Sequence, residues 1–229
     1  MEKSDATVLK VINEALVNFS AAPLQKMSDL FDNDDGYALA SFEELDHYGA
    51  REGVHYAGPI YSDGIGNIVT DWPPGSGPCI FAYLRSTVPG FMIVMEALRN
   101  SNARVICVSP DADEKFISEF SSDKFLVYTA PVDVGRLLDK MSVCISYGGI
   151  GTVTPVLLGG IPLLLIPKHV EQYMLSATVA RLNAGIVAIN ITHQTMIHEL
   201  LLRLLTEASF KSAATAFAEK YKGYTPMQA

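Results

Sequence analysis

Between residues 79 and 190, short apolar runs recur at 79–84, 103–109, 124–129, 142–147, 163–166 and 186–190. None alternates polar with apolar residues. A strand with one face in water shows that alternation, whereas a continuous apolar run belongs to a strand covered on both faces. Between the runs lie segments of helical spacing at 90–99, 111–120, 132–141, from 152, and 171–184. Two more follow at 195–206 and 210–221. Strands alternating with helices need crossover connections, which are right-handed and place helices on both sides of the sheet. The pattern predicts an α/β fold built on a doubly wound parallel sheet. With 49% hydrophobic and 18% charged residues the chain has ample material for such a core and cannot be a disordered one. In such sheets ligands bind outside the carboxyl ends of the strands, so the loops there are where chemistry is sought.

The region before residue 79 is less regular. Val8, Val11, Ile12, Ala15, Leu16 and Phe19 follow helical spacing, with Ser4 or Asp5 available as a cap. An Asp-rich stretch and a short strand candidate at 37–41 follow. Residues 42–78 are loop-rich and end in Trp72-Pro-Pro-Gly-Ser-Gly-Pro78, the strongest punctuation in the chain. The 229 residues suit one large domain with an appendage: 1–57 as an N-terminal helical and loop extension, 58–229 as the α/β domain.

Charge and cysteine usage narrow the function classes. Seventeen basic against twenty-five acidic residues give a net charge of −8, with no basic stripe to track phosphates, so nucleic acid is not an expected partner. The cluster of Lys211, Lys220 and Lys222 reads as the solvated face of a terminal helix. Cys79, Cys107 and Cys144 each lie inside an apolar run, which predicts buried, reduced thiols and a cytoplasmic setting, with neither a disulfide framework nor zinc spacing. The longest apolar stretch, 156–167, is broken by Gly159-Gly160 and Pro162 and falls short of the ~20 residues of a membrane span. The first residues lack the basic-then-apolar order of a secretion signal.

Two segments could carry chemistry. Ser146-Tyr147-Gly148-Gly149-Ile150-Gly151-Thr152 joins an apolar run to a helix. Its glycines permit a tight turn and close approach to a ligand, and the helix start offers free N–H groups and the positive end of a dipole. Thr152 is placed to cap the helix or to meet a phosphate. The segment is neither a Walker loop nor a G-x-G-x-x-G fingerprint. It reads equally as a phosphate cradle or as a plain strand-to-helix turn. Farther on, Pro167-Lys-His-Val-Glu171-Gln172 opens the long helix. Glu171 and Gln172 could bond sugar hydroxyls, or Glu171 could simply complement the helix dipole. Asp32-Asn-Asp34-Asp35-Gly36 fails as a calcium loop, because its glycine would put Phe31 at the first ligand position. His169 reads as a surface residue near the sugar position. His47, His55, His193 and His198 show no ligand spacing, and no Ser-His-Asp arrangement can be drawn.

Together these segments resemble the donor-binding, C-terminal half of GT-B fold glycosyltransferases, nearest to the family-1 nucleotide-sugar enzymes that glycosylate small molecules and lipids. That family shows a Gly-rich turn preceded by His and followed by Thr or Ser, then a Gly-x-Pro strand, then Pro-x-x-x-Asp-Gln. The matching residues are Gly148, Gly149, Gly151 and Thr152, then Gly160-Ile-Pro162, then Pro167 with Glu171-Gln172, then Ala184-Gly185. Ala130-Pro131 with Leu137-Leu138 resembles the base-binding turn, and Leu84-Arg85-Ser86 stands in the place of a Gly-Ser loop. Glu44-Leu-Asp46 and Tyr56-Ala-Gly58-Pro59 look like the segment that links the two halves.

The resemblance implies a Rossmann-like domain that binds a UDP- or dTDP-sugar. Gly148, Gly149, Gly151 and Thr152 would hold the diphosphate, with Arg85, Ser86 and Tyr147 beside it. Ala130, Pro131 and Val132 would line the base, and Glu171 and Gln172 the sugar. It implies no metal and no cofactor. The sequence departs from the pattern at four places. Tyr147 stands for the His, and cannot become cationic near neutral pH. Val132 stands for a Gln, Pro155 for an acidic ribose ligand, and Arg85 for a small Gly. These departures open a second reading, a non-catalytic glycosyltransferase-like subunit or scaffold with a degraded donor site. A nucleotide-sugar epimerase on the same fold is a third. The family's catalytic base and acceptor pocket lie in the other domain, so no catalytic residue is assigned here. The expected partner is an N-terminal acceptor-binding domain or a partner subunit.

Overall fold

The computed structural model describes residues 2–30, 38–60, 66 and 68–226, with side chains from residue 5 onward. The chain forms two compact units, residues 1–39 with 51–56, and residues 40–50 with 57–229. In the first, helix α1 (Glu2–Val17) begins ahead of Ser4 and Asp5, which therefore lie within its first turn and do not precede it as caps. The Asn13 side chain holds the following loop, donating to the Leu24 carbonyl at 3.0 Å and accepting from its N–H at 2.8 Å. Strands β1 (Ala38–Leu39) and β2 (His55–Tyr56) pair in parallel, so a strand does form in the expected place. The acidic run at 32–36 lies outside the described residues.

The second unit holds β3 (Cys79–Tyr83), α2 (Phe91–Arg99), β4 (Arg104–Val108), α3 (Glu114–Phe120), β5 (Phe125–Tyr128), β6 (Met141–Ser146), α4 (Ile150–Leu158), β7 (Leu163–Leu165), α5 (Val170–Arg181), β8 (Gly185–Val187), α6 (Gln194–Thr206) and α7 (Ala208–Lys220). The six strands are all parallel, in the order β5-β4-β3-β6-β7-β8. Each predicted apolar run is a strand.

Adjacent residues of each strand enter opposite cores. Ile80 and Ala82, Val105 and Cys107, Val143 and Ile145, and Leu164 face one cluster with α2 and α6. Phe81, Ile106 and Val108, Cys144, and Leu163 and Leu165 face another with α4, α5 and α7. Both faces are apolar because both are covered, and this is why the sequence shows no alternation.

The structure differs from the sequence reading locally. The helix expected at 132–141 is a 3-10 segment, Val134–Lys140. It is short and contains Gly135, the poorest helix former after proline. The Pro/Gly stretch at 72–78 belongs to the sheet unit and is not a break between units. Trp72 donates to the Leu137 carbonyl at 3.1 Å, and Arg104 to the Gly77 carbonyl at 2.9 Å. Residues 40–50 pack on α7. Phe42 meets the rings of Phe217, Tyr221 and Tyr224, while Glu44 accepts from Lys220 and Tyr221. Lys211 donates to the Gly160 carbonyl at 2.7 Å. Lys211 and Lys220 thus fasten α7 to the domain and do not form a merely solvated face.

Cys79, Cys107 and Cys144 are buried free thiols. Burial pushes Cys107 up to about 12 and raises Cys144 further.

Candidate functional site

The strand order reverses between β3 and β6: from β3 the chain winds outward through β4 and β5, then returns to β6 on the other side. The crossovers leave in opposite directions there, and in sheets of this kind the carboxyl edge at such a reversal is where ligands bind. Arg85 and Ser86 follow β3, and Tyr147, Gly148 and Gly149 follow β6.

The turn after β6 needs its first glycine. Gly148 has φ +85°, and a Cβ there would stand 2.4 Å from Ser176 Oγ and 3.0 Å from the Gln172 carbonyl oxygen. The bare backbone lets α5 approach the turn. The Gly148 N–H donates to Ser146 Oγ at 3.2 Å. Gly149 is the N-cap of α4 and offers no side-chain bond. Thr152 lies in the first turn of the helix, its N–H bonded to the Gly149 carbonyl at 3.0 Å. It is therefore not the helix cap. Around Gly151 a Cβ would meet nothing within 4 Å, so the α4 start is open at this point. Pro155 sits inside α4, where it supplies no N–H to the turn before it.

Tyr83 and Tyr147, at the ends of the two central strands, stand with ring centroids 5.7 Å apart. Burial and the neighbouring Tyr83 phenol raise Tyr147 above the usual phenol range against the opposing charge of Arg85. Tyr147 is thus a neutral donor at neutral pH, and the exposed Arg85 is the cation beside it.

Ser86 is engaged. Its N–H donates to both Asp111 oxygens at 3.0 and 3.1 Å, and its hydroxyl to Oδ2 at 2.6 Å. Desolvation works to raise Asp111, but the bonds from Ser86 and Ser109 hold it below the usual carboxylate range. Gln172 is engaged too. Its Oε1 accepts from the Lys168 and His169 N–H groups at 3.0 and 3.3 Å, capping α5. Glu171, in the first turn, is exposed.

Ala130 and Pro131 are exposed after β5, while Val132 is buried, bridging to Ile68. Strand β5 is three positions from β6, about 14 Å at ~4.8 Å per strand, so these residues stand at the far end of the edge and not at the glycine turn. The sequence reading missed Asp111 and Ser176. Asp111 follows β4, a loop that the carboxyl-edge rule includes. Ser176 gave no such signal, being mid-helix. Among the described residues, no three His, Cys, Asp or Glu side chains gather as a metal-binding group, and no helix is long and apolar enough to cross a membrane.

No family model matches the chain, and no curated protein does. Solved structures do. The glycotransferase of kitacinnamycin superposes with a TM-score of 0.76 at 16% identity, over 94% of this chain and 58% of that one. The calicheamicin glycosyltransferase CalG4 gives 0.72 at 16%, over 93% and 54%. The glycosyltransferase VinC, solved in complex with dTDP, gives 0.57 at 21%, over 73% and 42%. The chain has the fold of these glycosyltransferases and spans about half their length.

Proposed function

We propose that this chain is the nucleotide-sugar-binding half of a glycosyltransferase that moves a hexosyl group from a UDP- or dTDP-sugar to a hydroxyl of a small molecule or lipid. The observation that carries the reading is the Gly148–Gly149 turn at the strand-order reversal, opening directly onto the start of α4. Free N–H groups and the helix dipole there suit a diphosphate, and would stabilise the charge that develops as the nucleoside diphosphate leaves. Arg85 supplies a fixed positive charge, and Tyr147 one neutral hydrogen bond. Ala130, Pro131 and Val132 at the far end of the edge suit the base of an elongated ligand, with Glu171 toward the sugar. The acceptor pocket and the general base belong to a second α/β domain, N-terminal or on a partner subunit. In this reading residues 1–57 join the two, and the protein works in the cytoplasm.

Calorimetric titration with UDP-, dTDP- and GDP-sugars tests the proposal. Micromolar binding that Gly149→Asp abolishes is the expected result, and silence across the panel refutes it. Sugar transfer by the purified chain alone would refute the need for a second domain. Two observations favour the alternative, a non-catalytic subunit or scaffold: the Gln172 side-chain oxygen Oε1 already caps α5, and the Val132 side chain is buried. Silence in the titration is the result that this alternative expects.

A further inference from the structure

The loop after β3 carries its own anion. Asp111 takes both donors of Ser86, the backbone N–H and the hydroxyl, through three hydrogen bonds of 2.6 to 3.1 Å. Ser109 adds a fourth contact at 3.3 Å. A phosphate oxygen reaching this loop would seek the same two donors. It would also meet a full carboxylate charge, because an aspartate is ionised at neutral pH and the bonds from Ser86 and Ser109 favour that form.

We propose that Asp111 is a specificity-determining residue of the carboxyl edge: it stands in for an anionic ligand on the β3 loop and weakens the binding of nucleoside diphosphates relative to uncharged nucleosides. The inference rests on the donor-site reading above. A carboxylate placed near a second anion is repulsive, and repulsive elements decide between ligands as much as attractive ones do. Arg85, next in sequence to Ser86, is the exposed cation on the same loop. The diphosphate is then left to the glycine turn and the α4 start, while the β3 loop stays satisfied without ligand.

The test compares dTDP, UDP and thymidine on the wild-type chain, Asp111→Asn and Asp111→Glu by calorimetry. Asn keeps the shape and an acceptor for the Ser86 N–H but removes the charge. Glu keeps the charge. Asp111→Asn is expected to bind dTDP and UDP about tenfold more tightly than wild type, a gain that shrinks with rising salt and is not shared by thymidine. Asp111→Glu is expected to show no gain. Wild-type binding of dTDP with no gain in Asp111→Asn overturns the Asp111 proposal and leaves the donor site standing. An equal gain for thymidine likewise overturns it. Silence of both wild type and Asp111→Asn overturns both readings. Asp111→Ser, which retains a hydroxyl acceptor, must reproduce the gain if loss of the Asn variant's fold obscures it.

Discussion

Replacing Gly148 by alanine tests whether the turn after β6 is fixed by close packing. The residue holds φ +85°, where an L side chain costs about 1–2 kcal/mol. The added Cβ would lie 2.4 Å from Ser176 Oγ and 3.0 Å from the Gln172 carbonyl oxygen. Overpacking of that kind costs about 1–3 kcal/mol. The Ser176 hydroxyl can rotate aside and the backbone carbonyl cannot, so the two costs, together about 2–5 kcal/mol, come to about 3 kcal/mol. For a chain of this size that lowers Tm by roughly 6–12 °C. Gly151→Ala is the internal control, since its Cβ meets nothing within 4 Å. Placed in the first turn of α4, it is expected to be neutral or to stabilise by up to about 1 kcal/mol. Ser176→Ala removes a buried hydroxyl that has no hydrogen-bond partner, and combined with Gly148→Ala it should recover part of the loss. Urea unfolding followed by circular dichroism measures these variants against wild type. If Gly148→Ala unfolds within ~0.5 kcal/mol of wild type, or tracks Gly151→Ala, the packing argument is wrong.

Three further outcomes follow from the sheet unit. Phe81→Ala, deleting a side chain with no exposed surface in the central strand, is expected to cost about 3–5 kcal/mol by the same assay. Burial acts to raise Glu44, but the bonds from Lys220 and Tyr221 outweigh it and hold the carboxyl below its ordinary range. Its contribution to stability is therefore complete above about pH 4.5, the unfolded value, and is lost as pH falls through the lower folded one. Glu44→Gln should flatten the acid limb of the stability–pH curve. Burial raises the Cys107 and Cys144 thiols, so a thiol reagent at pH 8 should leave both unmodified in the native protein and label both in denaturant. Labelling of either in native buffer contradicts their burial.

The sheet was legible in the chain itself. A strand covered on both faces must be apolar at every position, and that local rule exposes each of β3 to β8 without knowledge of its neighbours. The glycine turn was legible for a similar reason, since Gly148-Gly149 between a strand and a helix is a local backbone requirement. The limits of local reading show at residues 132–141, where helical spacing produced only a 3-10 segment.

The site's hydrogen bonds were decided by tertiary structure. Ser86 meets Asp111 across 25 residues, Gly148 is hemmed in by Ser176, and Glu44 reaches Lys220 across 176. Even Gln172, which bonds only three and four residues away, had its oxygen turned to the α5 cap by how the chain enters that helix. Sequence spacing determined where a ligand-binding edge would form, because strand and turn preferences act locally. Which donors on that edge remain free depends on the partner each finds in space, and residue type alone does not carry that information.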